Sequence, residues 1–209
     1  EFANSQVVDK YNEKDTSSVS RGLYLLGTIY SEKLRDFRLC DSLLRECYAI
    51  SKLRGDAIHM SLAQANMGWN YYLAKMYDSA IVCYNRSLRY SVPADNYSEA
   101  SNAYGNLGNI YRDINNTARS LDYYNKSLEM ATKVNDLYNL QWVYKDISDL
   151  YLKLGDTSKA FNSFVRHKEF SDKYLIKSNT QGLTDAQLRY ETDSHKKEVE
   201  LLSVKLKNR

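Results

Sequence analysis

The chain has 209 residues, of which 43% are hydrophobic and 26% charged, and its net charge is +3. That length supports one ordinary domain or a short repeat array, and that balance excludes both a disordered chain and a bundle of membrane spans. Lysine and arginine are mixed with aspartate and glutamate, so no one-signed field marks a nucleic-acid partner for this stretch.

One proline, Pro93, and eight glycines leave few breakers, which points to long helices with short joints. Nineteen tyrosines suit a thin solenoid, because tyrosine buries its ring while its hydroxyl stays wet. Cys40 and Cys47 lie seven residues apart on one predicted helix, roughly 10 Å along its axis and too far for a disulfide. With Cys83 they read as small buried thiols, and no ligand spacing for a metal accompanies them. No apolar run approaches the ~20 residues of a membrane span.

Residues 1–14 place Phe2, Val7, Val8 and Tyr11 at the spacing of a short amphipathic helix, expected to be part of a preceding repeat; a loose arm is the alternative. From there the chain repeats. Leu26-Gly27-Thr28-Ile29-Tyr30, Met67-Gly68-Trp69-Asn70-Tyr71, Leu107-Gly108-Asn109-Ile110-Tyr111 and Ile147-Ser148-Asp149-Leu150-Tyr151 align, their small residues 41, 40 and 40 apart. A second signature follows each: Cys40, Leu44 and Cys47; Ala80, Tyr84 and Ser87; Ser120, Tyr124 and Ser127; Ala160, Phe164 and His167. Antiparallel helices approach closely only where small side chains leave room. Gly27, Gly68, Gly108 and Ser148 are therefore read as notches on first helices, with Cys40, Ala80, Ser120 and Ala160 as notches on second helices. The tyrosine after each notch and the large partner residue are expected to fill the space between pairs. Asp15, Asp56, Asp95 and Asp136 are the expected N-caps. Turns within pairs are predicted near Leu34-Arg35, Lys75-Met76, Asn115-Asn116 and Leu154-Gly155-Asp156. The predicted hairpins span 15–54, 55–94, 95–134 and 135–177.

The last segment, 178–209, changes character. Thr184-Asp185-Ala186-Gln187 after Gly182 fits a capping box that opens a new helix. Leu183 to Tyr190 is placed to cover the last repeat's apolar face. Leu188, Thr192, His195, Val199, Leu202 and Leu206 then step by four and three, a heptad seam for a homodimer.

The notch, tyrosine and small-residue positions from 20 to about 175 resemble the tetratricopeptide repeat family. The resemblance implies an all-α, right-handed superhelical solenoid with a long C-terminal helix. Two departures stand out: a period of about forty against the usual ~34, and a single late-repeat proline, Pro93. In this family first helices line the concave wall. Counting from the notches, the resemblance implies a groove of Asn66, Trp69, Tyr72 and Leu73, then Gly105, Asn106, Asn109, Arg112 and Asp113, then Lys145, Asp146, Asp149 and Lys153, with Trp142 at its far end. Amides pair with a peptide backbone and aromatics cover its apolar side chains, so the expected ligand is an extended peptide or protein segment.

The run Leu183 to Thr192, followed by Lys196-Lys197-Glu198-Val199-Glu200-Leu201-Leu202, is similar to juxtamembrane helices of exported repeat proteins in Gram-negative bacteria. That similarity implies a periplasmic sensor ectodomain, a membrane span after residue 209 and a cytoplasmic signalling part. A cytoplasmic regulator that sequesters its partners and a structural assembly module are the alternatives. No phosphate loop or nucleophile elbow occurs, His59, His167 and His195 lack a paired motif, and the carboxylates are scattered over what read as solvated faces. The expectation is a non-catalytic scaffold with no cofactor and no metal.

Overall fold

The computed structural model describes the backbone of residues 16–31 and 37–207, and side chains from 18 to 190 within those limits together with Thr192. The segment 1–14, Asp15 and the Leu34-Arg35 turn lie outside the described residues. Every described element is a helix: α1 Thr16–Ile29, α2 Phe37–Leu53, α3 Ala57–Leu73, α4 Tyr77–Ser91, α5 Tyr97–Asp113, α6 Thr117–Lys133, α7 Leu137–Lys153 and α8 Thr157–Lys207. Consecutive helices pack as antiparallel pairs, α1 with α2 through α7 with α8, and each pair stacks on the next. The result is the all-helical solenoid that the repeats imply.

The joints have a finer period than the hairpins. Residues with positive φ fall at Gly55, Lys75, Asp95, Asn115, Asn135 and Gly155, twenty apart each time. At each, the following residue donates its N–H to a carbonyl five residues back, as Met76 does to Tyr71 (2.8 Å) and Asn116 to Tyr111 (2.8 Å). This is the left-handed helix end that glycine or asparagine favours. The residue after it starts the next helix. Asp56, Asn96, Asn116 and Asp136 accept there from the N–H three residues on. The cap expected at Asp95 is therefore Asn96, because position 95 is the left-handed residue. The forty-residue repeat is thus two twenty-residue units, most of them a 17-residue helix plus a short joint.

Within pairs, a glycine faces a large side chain. A Cβ built on Gly27 would lie 3.0 Å from Leu44, and on Gly68 3.0 Å from Tyr84. On Gly108 it would lie 2.5 Å from the Tyr124 ring, well inside contact distance. The large residue, expected between pairs, therefore sits in the glycine notch itself. Cys40, Ala80 and Ser120 are fully buried opposite it, and Ala160 nearly so. The Ser120 hydroxyl donates to Gly108 O at 2.9 Å. In the fourth pair the arrangement is mirrored: Ser148 occupies its own notch and donates to Ala160 O at 2.9 Å. With the notch filled, Phe164 is displaced outward and is 53% exposed, against the expectation that it packs. The three cysteines are buried thiols, as expected. Cys47 donates to Ser20 O, and burial pushes its thiol up to about 11.

The core is a chain of small clusters. Tyr71 touches both the Cys40–Leu44–Met67–Cys83 cluster and the central one around Tyr84 and Leu107. The far end differs most from expectation. α8 runs unbroken for 51 residues through Gly182 and Thr184, whose hydroxyl donates to Thr180 O inside the helix rather than capping a new one. Leu183 is 74% exposed and Tyr190 76%, so this stretch covers no repeat face. Of the heptad positions, Leu188 and Thr192 are exposed, while the side chains of His195, Val199, Leu202 and Leu206 lie outside the described residues. No helix among the described residues is long and apolar enough to cross a membrane.

One joint lacks its cap: Met76 starts α4 with no side-chain hydrogen bond and is 52% exposed. Met76→Asp is expected to supply the acceptor that Asp56 and Asp136 supply, and to stabilise the fold by about 0.5–1.5 kcal/mol in urea unfolding.

Candidate functional site

First helices touch one another directly, α1 with α3, α3 with α5 and α5 with α7, so they form the inner side of the curve. Between them lies a cavity of about 440 Å³, open to solvent, lined from Tyr24 on α1 to Asp146 on α7. Of the groove residues expected from sequence, Asn66, Trp69, Asn106, Asn109 and Trp142 line this cavity together with Gly105 and Asp146. Tyr72 stands beside it, its ring 5.5 Å from Trp69 and its hydroxyl donating to Asp113 at 2.8 Å. Arg112 binds Asp146 at 3.2 Å and Asp113 at 3.3 Å. Burial works against the Arg112 cation, but Tyr124, Asp146 and Asp113 outweigh it and hold it above its ordinary value. Burial likewise raises the Asp146 carboxyl, with Arg112 and the Asn109 amide opposing. Leu73 lies exposed at the end of α3, away from the cavity. Lys145 is paired with its own helix neighbour Asp149 at 2.8 Å, and neither lines the cavity. Lys153 is bonded to Asn115 at 2.6 Å.

The groove also includes Tyr24 and Ala65, which stand three before their notches as Gly105 does, and Leu62, Glu99, Ser101, Asn102, Tyr138, Asn139 and Val143, which counting from the notch missed. The signal was present. Stepping back three or four residues from Trp142 reaches Tyr138 and Asn139, and from Asn106 reaches Asn102 and then Glu99. Helices of 17 residues carry the wall well before the notch, as Tyr138 and Glu99 show.

Two repeats use one position in opposite ways. Asn109 accepts from the buried Tyr124 hydroxyl at 2.6 Å. Forty residues earlier, Trp69 and Tyr84 occupy the same two places, and the Tyr84 hydroxyl has no hydrogen-bond partner. A buried hydroxyl left so costs about 1–3 kcal/mol. Trp69 therefore stands where an amide would serve the core better.

Glu99 is the other departure, and corrects the reading of the carboxylates as solvated. It is 8% exposed, and its Oε1 has no hydrogen-bond partner. Burial pushes its carboxyl up to about 7, with the Ser87 hydroxyl on α4 opposing. A carboxyl in an unfolded chain titrates near about 4.3. The folded protein thus holds its proton to higher pH than the unfolded chain does. The stability this confers is complete below the unfolded value and is lost as pH rises towards 7. Glu99→Gln is expected to match wild type near pH 4.5 and to exceed it at pH 8 by on the order of 1–3 kcal/mol, read by urea unfolding at both. Among the described residues no cluster of His, Cys, Asp and Glu suits a metal ion.

Residues 99–171 match the tetratricopeptide repeat family model. The fold is similar to that in the crystal structure of BtubC (BKLC) from P. vanneervenii, with TM-score 0.66 and 17% identity over 79% of this chain and 68% of that one. It is also similar to MamA, with TM-score 0.54 and 16% identity over 75% of this chain and 81% of that one. No curated protein sequence matches the chain.

Proposed function

We propose that this tetratricopeptide-type helical scaffold is non-catalytic and holds an extended peptide or protein segment in its inner groove. The observation that carries the reading is Trp69. It gives up the hydrogen bond that Asn109 makes one repeat later, and it presents an aromatic surface to the groove in exchange. Amide side chains run down the same wall, where Asn66, Asn102, Asn106 and Asn139 can meet a ligand backbone. The chain's two tryptophans both line the groove, so their emission reports its occupancy. Peptides recovered from a randomised nonapeptide pool are expected to shift that emission saturably. Trp69→Asn is expected to weaken the titration tenfold or more while lowering stability by less than about 1 kcal/mol, where truncating a packed aromatic costs about 3–5 kcal/mol. Unchanged peptide affinity in the variant counts against the groove.

The parent protein, in this proposal, is a membrane-anchored bacterial sensor with the repeats on the periplasmic side. α8 supports the reading: its single helix continues past the last hairpin with Leu183, Leu188 and Tyr190 exposed, in the part whose sequence is similar to juxtamembrane helices. Pairing of two such helices along Leu188 and the positions beyond it is the proposed dimer contact. An apolar span encoded within a few dozen codons beyond Arg209 is the expected result of sequencing the gene, and a stop codon there removes the sensor reading.

A further inference from the structure

We infer that Glu99 sets the specificity of the groove by receiving the side-chain cation, lysine ammonium or arginine guanidinium, of a basic residue in the bound segment. This rests on the groove being the ligand site. Four observations converge on it. Glu99 lines the cavity, yet more than nine-tenths of it is buried, and its Oε1 is unpartnered. Among the described residues no cation stands beside it, whereas the other groove acid, Asp146, is held by Arg112. Tyr24, Trp69, Tyr138 and Trp142 line the same cavity, and aromatic faces attract a desolvated cation. Leu62 and Ala65 offer an apolar wall along which a lysine or arginine stem can lie with its charged head on the carboxylate. A buried carboxylate with no counter-charge is costly, and an incoming cation with hydrogen-bond donors offsets that cost.

The test passes a randomised nonapeptide pool over the immobilised protein and sequences what is retained. Lysine and arginine together are expected to be enriched at least fivefold at one position. Glu99→Gln is expected to abolish that enrichment while still retaining peptides, and Glu129→Gln, on α6 outside the groove, to leave it unchanged. A second measurement needs no variant: replacing the selected basic residue of the best peptide by norleucine is expected to weaken its binding to wild type at least tenfold. Equal enrichment in Glu99→Gln, or no loss with norleucine, overturns the assignment. Peptides retained without basic enrichment overturn this inference alone, and retention of no peptide overturns the groove reading with it.

Discussion

Glycine against a ring sets the spacing of this molecule. Where Gly68 meets Tyr84 and Gly108 meets Tyr124, the second helix comes close enough for the whole ring to be buried. That closeness lets Ser120 reach the backbone of the opposite helix. First helices of neighbouring pairs lie side by side on the inner face. Such packing tolerates little, because an added methyl group forces strain that costs about 1–3 kcal/mol. Ser148 shows the alternative: a side chain in the notch secures the crossing by a hydrogen bond, and the large residue opposite is left outside.

Against this regular frame the groove holds two irregular residues. Trp69 leaves a tyrosine hydroxyl unserved, and Glu99 is buried without a counter-ion. Each leaves a buried polar atom unsatisfied in the empty protein, and each faces the same cavity. Local conflict of this kind concentrates where a protein does something besides fold.

The frame was legible in the sequence because it depends on residue size at fixed intervals. Gly27, Gly68, Gly108 and Ser148 announce the helix crossings without any tertiary information. The cap at 95 was misread because aspartate and asparagine both cap helices; only the left-handed residues every twenty positions assign the role to Asn96. Gly182 followed by Thr184 looked like a boundary, yet one glycine costs a helix only about 1 kcal/mol and does not end it. Glu99 was illegible for a different reason. Its burial comes from α4, whose Ser87 and Tyr84 flank it, and nothing in its own helix announces those neighbours.

The unbroken course of α8 has a mechanical meaning. One face of this rod belongs to the fourth hairpin, where Ala160 is buried and His167 reaches Gln141 O, and the same rod extends some thirty residues beyond. No joint separates the two parts, so a tilt of the hairpin segment of α8 carries the tip with it, about 45 Å away. The fourth hairpin and the far tip are two ends of one shaft.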